Sequence, residues 1–169
     1  DVGRQIKAKL GSLLLKMSSG HKDSWMLFAG TDLLMKNAPP EEASQVAAVC
    51  VKAAKTASKQ GAFKTAARFS DFGYSLIAKK MRTNYKVGIE LLTLAAEMHY
   101  CGGAIDTAKE RVESVGNKAI STQDRFRANH VLLQCFSNES DYDASVSNGI
   151  DMINETGVHF PKHPGKLAV

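Results

Sequence analysis

Ala54-Lys-Thr-Ala-Ser-Lys-Gln-Gly61-Ala-Phe63-Lys-Thr-Ala66 reads as the end of one helix, a turn, and the start of another. Gly61 stands where a helix stops on a left-handed residue, a conformation that glycine adopts without steric cost. Phe63 follows two residues past the turn, and Ala66 three further on. A large side chain at the first of these positions plugs the space between two antiparallel helices. A small one at the second lets them approach closely. The same order recurs in Ala96-Glu-Met-His99-Tyr-Cys-Gly-Gly103-Ala-Ile105-Asp-Thr-Ala108, and again through Asn138-Glu-Ser-Asp141-Tyr142-Asp-Ala-Ser145. The turn positions stand 42 and then 37 residues apart.

Outward from these turns, nearly every segment follows a 3.6-residue period and almost none a strict alternation. The pattern predicts a first helix over residues 2–17, with Ile6, Leu10, Leu13 and Leu14 on its core face. A second, 23–36, is capped by Asp23 and carries Trp25, Phe28, Ala29, Leu33 and Leu34, with Trp25 read as a core anchor. Pro39-Pro40-Glu41-Glu42 opens a third, because proline suits a first helical turn and acids suit the positive helix end. It runs to residue 60 with a face of small residues, Ala43, Ala47, Ala48, Ala53, Ala54 and Ala57. Helices over 62–80, 85–100 and 104–116 follow. Ser121-Thr-Gln-Asp124 resembles a capping box and opens a seventh helix to residue 136; Asp141 caps an eighth that ends at Gly157. The expectation is all-α: antiparallel helix hairpins stacked as an α-solenoid of about eight helices over residues 1–158, then an extended tail over 159–169.

The bulk properties exclude several classes. A chain of 169 residues that is 44% hydrophobic and 23% charged is globular in composition. No apolar run approaches the roughly 20 residues that span a bilayer. Residues 1–10 alternate charge with apolar groups, so no signal peptide is visible. Three cysteines, Cys50, Cys101 and Cys135, lie far apart among apolar residues. They read as buried free thiols of a reducing, cytoplasmic compartment. The net charge of +5 is uneven. Up to Glu90, 15 Lys/Arg face 7 Asp/Glu, a net +8; beyond it 7 face 10, a net −3.

The hairpin spacing lies near, though above, the roughly 34 residues of a TPR unit. Three longer stretches carry a resemblance: the order of small and large residues from Val46 to Ile77; Tyr85-Lys-Val-Gly-Ile-Glu-Leu-Leu-Thr-Leu-Ala-Ala-Glu-Met-His-Tyr100 with Gly103; and Gly149-Ile-Asp-Met-Ile-Asn-Glu-Thr-Gly157-Val-His-Phe-Pro161. Together they resemble the TPR-like helical segment that follows the ATPase domain in multidomain AAA/STAND-type ATPases. Those signalling proteins often carry a serine/threonine kinase in front and a histidine kinase behind. The resemblance covers residues 1–161. Members commonly have Trp where this chain has Met81, and alanine where it has Ser145. The resemblance implies a region without catalytic residues that acts as a scaffold or sensor arm.

The residues themselves point the same way. Gly61-Ala-Phe-Lys64-Thr65 echoes a phosphate loop but lacks the upstream glycine and any preceding strand. His21, His99, His130, His159 and His163 make no helical i+3 or i+4 pair with one another or with cysteine, so no metal site is expected. Neither Cys101 nor Cys135 has a neighbouring histidine with an orienting acid, and Glu110 and Glu113 sit in an ion-paired run with Lys109 and Arg111. No cofactor is implied.

What remains is binding. In TPR-like folds the first helices of successive hairpins line a groove. Here that face draws on Lys52, Lys55 and Lys59, then Glu97 and Tyr100, then Arg127, Asn129 and Gln134. Basic and amide groups of this kind clamp an extended acidic peptide or a carboxylate. The leading expectation is a non-catalytic protein–protein interaction scaffold, adaptor or structural subunit of a larger assembly. The alternative is a nucleic-acid-binding helical repeat using the basic residues Lys64, Arg68, Lys79, Lys80, Arg82 and Lys86.

Overall fold

The computed structural model describes residues 2–18 and 24–161. Among them are eight α-helices and no strand: α1 (Val2–Ser18), α2 (Trp25–Asn37), α3 (Ala43–Lys59), α4 (Phe63–Ile77), α5 (Tyr85–Cys101), α6 (Ile105–Gly116), α7 (Thr122–Asn138) and α8 (Tyr142–Glu155). Two short 3₁₀ turns flank the central pair, Pro40–Glu42 before α3 and Ala78–Lys80 after α4. The helix expected to run to residue 80 therefore tightens after Ile77, as terminal turns do when their carbonyls run out of partners. The expected Asp23 cap lies outside the described residues, as does most of the tail. Residues 158–161 carry no regular structure.

The three aligned turns close with one geometry. Ala62 N–H donates to Ala57 O and Gly61 N–H to Ser58 O; Ala104 donates to His99 O and Gly103 to Tyr100 O; Asp141 donates to Phe136 O and Ser140 to Ser137 O. Each is the paired 6→1 and 5→2 closure of a Schellman turn. The left-handed residues are Gly61 (φ 72°), Gly103 (φ 80°) and Ser140 (φ 62°), at the matched positions of the three stretches. The predicted caps also form: Ser121 Oγ accepts from Asp124 N–H at 3.2 Å, and Asp141 Oδ1 accepts from Ala144 N–H at 3.0 Å.

Each helix packs on the next in sequence, and α5 also touches α3 and α7. The small face of α3 is buried in part: Ala47, Ala53, Ala54 and Ala57 are fully buried, the last three in a cluster with Ala66, Ala67 and Phe69 of α4, whereas Ala48 is exposed and Ala43 half-buried. Gly73 marks the tightest approach, where a Cβ would lie 2.7 Å from Cys50 Cβ on α3. Helix α5 supplies all three core clusters: Leu94 and Met98 face α3 and α4, Leu91 faces Cys50 and Ile77, and Leu92 and Ala96 face α6 and α7. Burying each such leucine contributes about 2 kcal/mol, so α5 is the structural centre.

The first hairpin departs from the sequence reading. Helix α1 buries Gly11, not the Ile6–Leu10–Leu13 face. A Cβ at Gly11 would meet Gly30 O at 3.0 Å, and one at Gly30 would meet Gly11 O at 2.9 Å. Two glycines bring the backbones of α1 and α2 together, which turns Ile6, Leu10 and Leu13 to solvent. Trp25, read as a core anchor, is 56% exposed, and Leu27 and Leu34 bury in its place. Cys101, expected to be buried, is exposed; Cys50 and Cys135 are buried free thiols.

Candidate partner-binding face

Helices α3, α5 and α7 are the first members of their hairpins, and α5 lies against both of the others. A run of ion pairs crosses them. Lys55 Nζ on α3 stands 2.8 Å from Glu90 Oε1 on α5. Arg127 Nη1 on α7 reaches the other oxygen of Glu90 at 2.9 Å. Its Nε and Nη2 grip both oxygens of Glu97 at 3.0 and 2.9 Å. Glu90 and Glu97 are seven residues apart, two helical turns on one face, so a single guanidinium spans both. The Arg127 side chain remains 48% exposed. Pairs this open are worth at most about 1 kcal/mol each, so the run organises surface charge more than it holds the fold.

The candidate groove residues divide around this run. Lys52 and Lys59 stand exposed on the same α3 face as Lys55, with no ion pair among the described residues. Gln134 lies two turns along α7 from Arg127 and shares its face. Asn129 is about 160° round the helix from Arg127 and lines a recess of about 600 Å³ with Leu132, Asn148, Asp151 and Glu155. Tyr100 packs against the α5–α7 core cluster. Glu90 is the residue the sequence reading missed. Its signal was the seven-residue spacing to Glu97.

The six basic candidates form two groups. Lys64 and Arg68 line a shallow recess with Asp71 and His99, and Arg68 binds Asp32 through two contacts of 2.7 and 3.3 Å. Lys79, Lys80, Arg82 and Lys86 are exposed around the α4–α5 turn. From Arg68 to Lys79 the separation along the chain is about 17 Å of helix. No Lys or Arg lies between them in the sequence.

Titratable groups elsewhere hold helices together. Asp71 on α4 receives Arg111 Nε at 2.7 Å and lies 2.7 Å from His99 Nε2, tying α4 to α6 and α5. His130 is exposed while Cys135 is buried. Burial is the first cause that pushes the Cys50 thiol up to about 12, and it also raises Cys135. Among the described residues no group of three His, Cys, Asp or Glu side chains is placed to hold a metal. No helix among them is long and apolar enough to cross a membrane. Neither a protein family, nor a characterised protein, nor a solved structure matches this chain.

Proposed function

We propose that the chain is a TPR-like α-solenoid that acts as a non-catalytic protein–protein interaction scaffold, as an adaptor or a subunit of a larger assembly. In this reading it corresponds to the helical arm of the ATPase–kinase signalling proteins that it resembles. The observation that carries the proposal is the side-by-side packing of α3, α5 and α7 with the Lys55–Glu90–Arg127–Glu97 run across them. Such a face offers a partner fixed charges at regular spacing, with Lys52 and Lys59 free to meet carboxylates. Free thiols at Cys50, Cys101 and Cys135 support a reducing compartment.

The test is affinity capture from nuclease-treated native extract with the wild-type chain and a Lys52→Glu/Lys59→Glu double variant. Stoichiometric recovery of one protein complex by the wild type, lost in the variant, is the expected result. Recovery that vanishes on nuclease treatment, with steeply salt-dependent binding to nucleic acid, would replace the scaffold by the nucleic-acid reading.

A further inference from the structure

We propose that the edge formed by the α4–α5 and α6–α7 connections docks on an anionic membrane surface, with Ile120 as its inserting residue. This goes beyond the scaffold reading and does not rest on the α3–α5–α7 face. Residues 72–89 hold Lys79, Lys80, Arg82 and Lys86 and no acid; residues 114–123 hold Lys118 and no acid. All five cations are exposed, and none makes an ion pair among the described residues. Lys86 stands in the first turn of α5, which has no acid. A cation there opposes the positive helix end, so its charge does not stabilise the helix.

The two connections form one surface. Tyr85 Oη accepts from Ile120 N–H at 2.8 Å and donates to Asp124 Oδ2 at 2.7 Å. After Tyr85 and Ser121, Lys86 also lowers the Asp124 carboxyl, which puts this cation beside the same cap. Residues 80–84 close on themselves, with Thr83 N–H donating to Lys80 O and Asn84 N–H to Lys80 O and Met81 O. Held in this way, Ile120 is 83% exposed, more than any other large apolar residue described. The neighbouring acids are engaged elsewhere. Asp71 is bound by Arg111 and His99, Glu90 by Lys55 and Arg127, and Asp124 by Tyr85 and Ser121. Glu42, on the connection before α3, lines a recess with Arg4 and Lys9, and Glu113 lies a turn inside α6. A rim of cations around one projecting aliphatic side chain matches a bilayer surface, anionic outside and apolar beneath. Long basic side chains lay their stems along such a surface and keep their charges at phosphate level. Nucleic acid fits less well. Neither segment carries an exposed aromatic residue to stack on a base, and Ile120 would lie against phosphate.

The experiment is flotation of the chain with phosphatidylcholine vesicles, with and without phosphatidylserine, across a range of salt. Three variants at exposed positions accompany the wild type, their folding checked by circular dichroism: Lys80→Glu/Arg82→Glu, Ile120→Ser and Lys7→Glu/Lys9→Glu. The wild type is expected to float with phosphatidylserine vesicles, to release them as salt rises, and to leave pure phosphatidylcholine alone. Ile120→Ser should bind about tenfold more weakly, and Lys80→Glu/Arg82→Glu at least about twentyfold. Lys7→Glu/Lys9→Glu makes the same change of net charge on α1, beside the exposed Ile6 and Leu10, and should float like the wild type. A wild type that fails to float overturns the proposal; tight, salt-sensitive binding to a single-stranded oligonucleotide would then assign the cations to nucleic acid. Equal loss in the two charge variants overturns it as well, because net charge alone would then explain the binding. So does full flotation of Ile120→Ser, because nothing would then insert.

Discussion

Tyr85, at the first position of α5, donates its phenol proton to Asp124 Oδ2 at 2.7 Å while the same oxygen, Oη, accepts from Ile120 N–H at 2.8 Å. One hydroxyl thus ties the centre of the stack to the cap of α7. Tyr85→Phe keeps the ring and removes both bonds, at an expected cost of about 1–2 kcal/mol. The Asp124 carboxyl is held below its ordinary 3.8, first by Tyr85 and then by Ser121. A depressed folded value adds stability above pH 3.8, and that contribution is lost as pH falls through the folded value. Urea unfolding at pH 7 and pH 3 should therefore show a larger gap between wild type and variant at pH 7. Equal gaps at both would refute the electrostatic part of the argument.

The three Schellman turns differ in their left-handed residue, and only the last is not glycine. Ser140→Gly should stabilise the chain by about 0.5–1 kcal/mol by relieving a side chain at φ 62°. Gly61→Ala should cost about 1–2 kcal/mol, since a Cβ there meets nothing within 4 Å and only backbone strain remains. Opposite signs in thermal melts of the two variants are the outcome to look for.

Gly73→Ala sets helix propensity against packing. Alanine favours the helix by about 1 kcal/mol, but its Cβ would lie 2.7 Å from Cys50 Cβ and 3.1 Å from a Leu91 methyl. The Cys50 Cβ is fixed to the α3 backbone and cannot swing aside, so overpacking wins by about 1–3 kcal/mol. Gly116→Ala, at the open end of α6 with nothing within 4 Å, is the control and should be neutral or stabilising. If both variants melt alike, the close approach of α3 and α4 is not a constraint.

Thiol labelling separates the cysteines. Cys101 is exposed, whereas Cys50 is buried with its thiol pushed up to about 12. In native protein at pH 8 one thiol should react quickly with Ellman's reagent, and Cys50 and Cys135 only as the chain unfolds. Three equal rates in the native state would contradict the packing of α3 and α7.

The hairpins were legible because their signals are local. Gly61, the capping pair Ser121 and Asp124, and the cap Asp141 act within four residues of themselves, and each forms as read. The orientation of α1 was not legible. Its periodicity marks an apolar stripe at Ile6, Leu10 and Leu13, but the burial of one face is decided by another helix. Gly11 and Gly30, nineteen positions apart, make that decision through backbone approach. The candidate face was half legible for the same reason: the cations were visible one by one, whereas Glu90 gains its place only when α3 and α7 flank it.

Helix α5, embedded in all three core clusters, also governs how the molecule would bear tension. A pull applied at Val2 and Glu155 would enter through α1 and α8, each fastened chiefly to one neighbour. Load handed inward helix by helix would reach α5 last, so the middle of the stack would outlast the helices on either side of it.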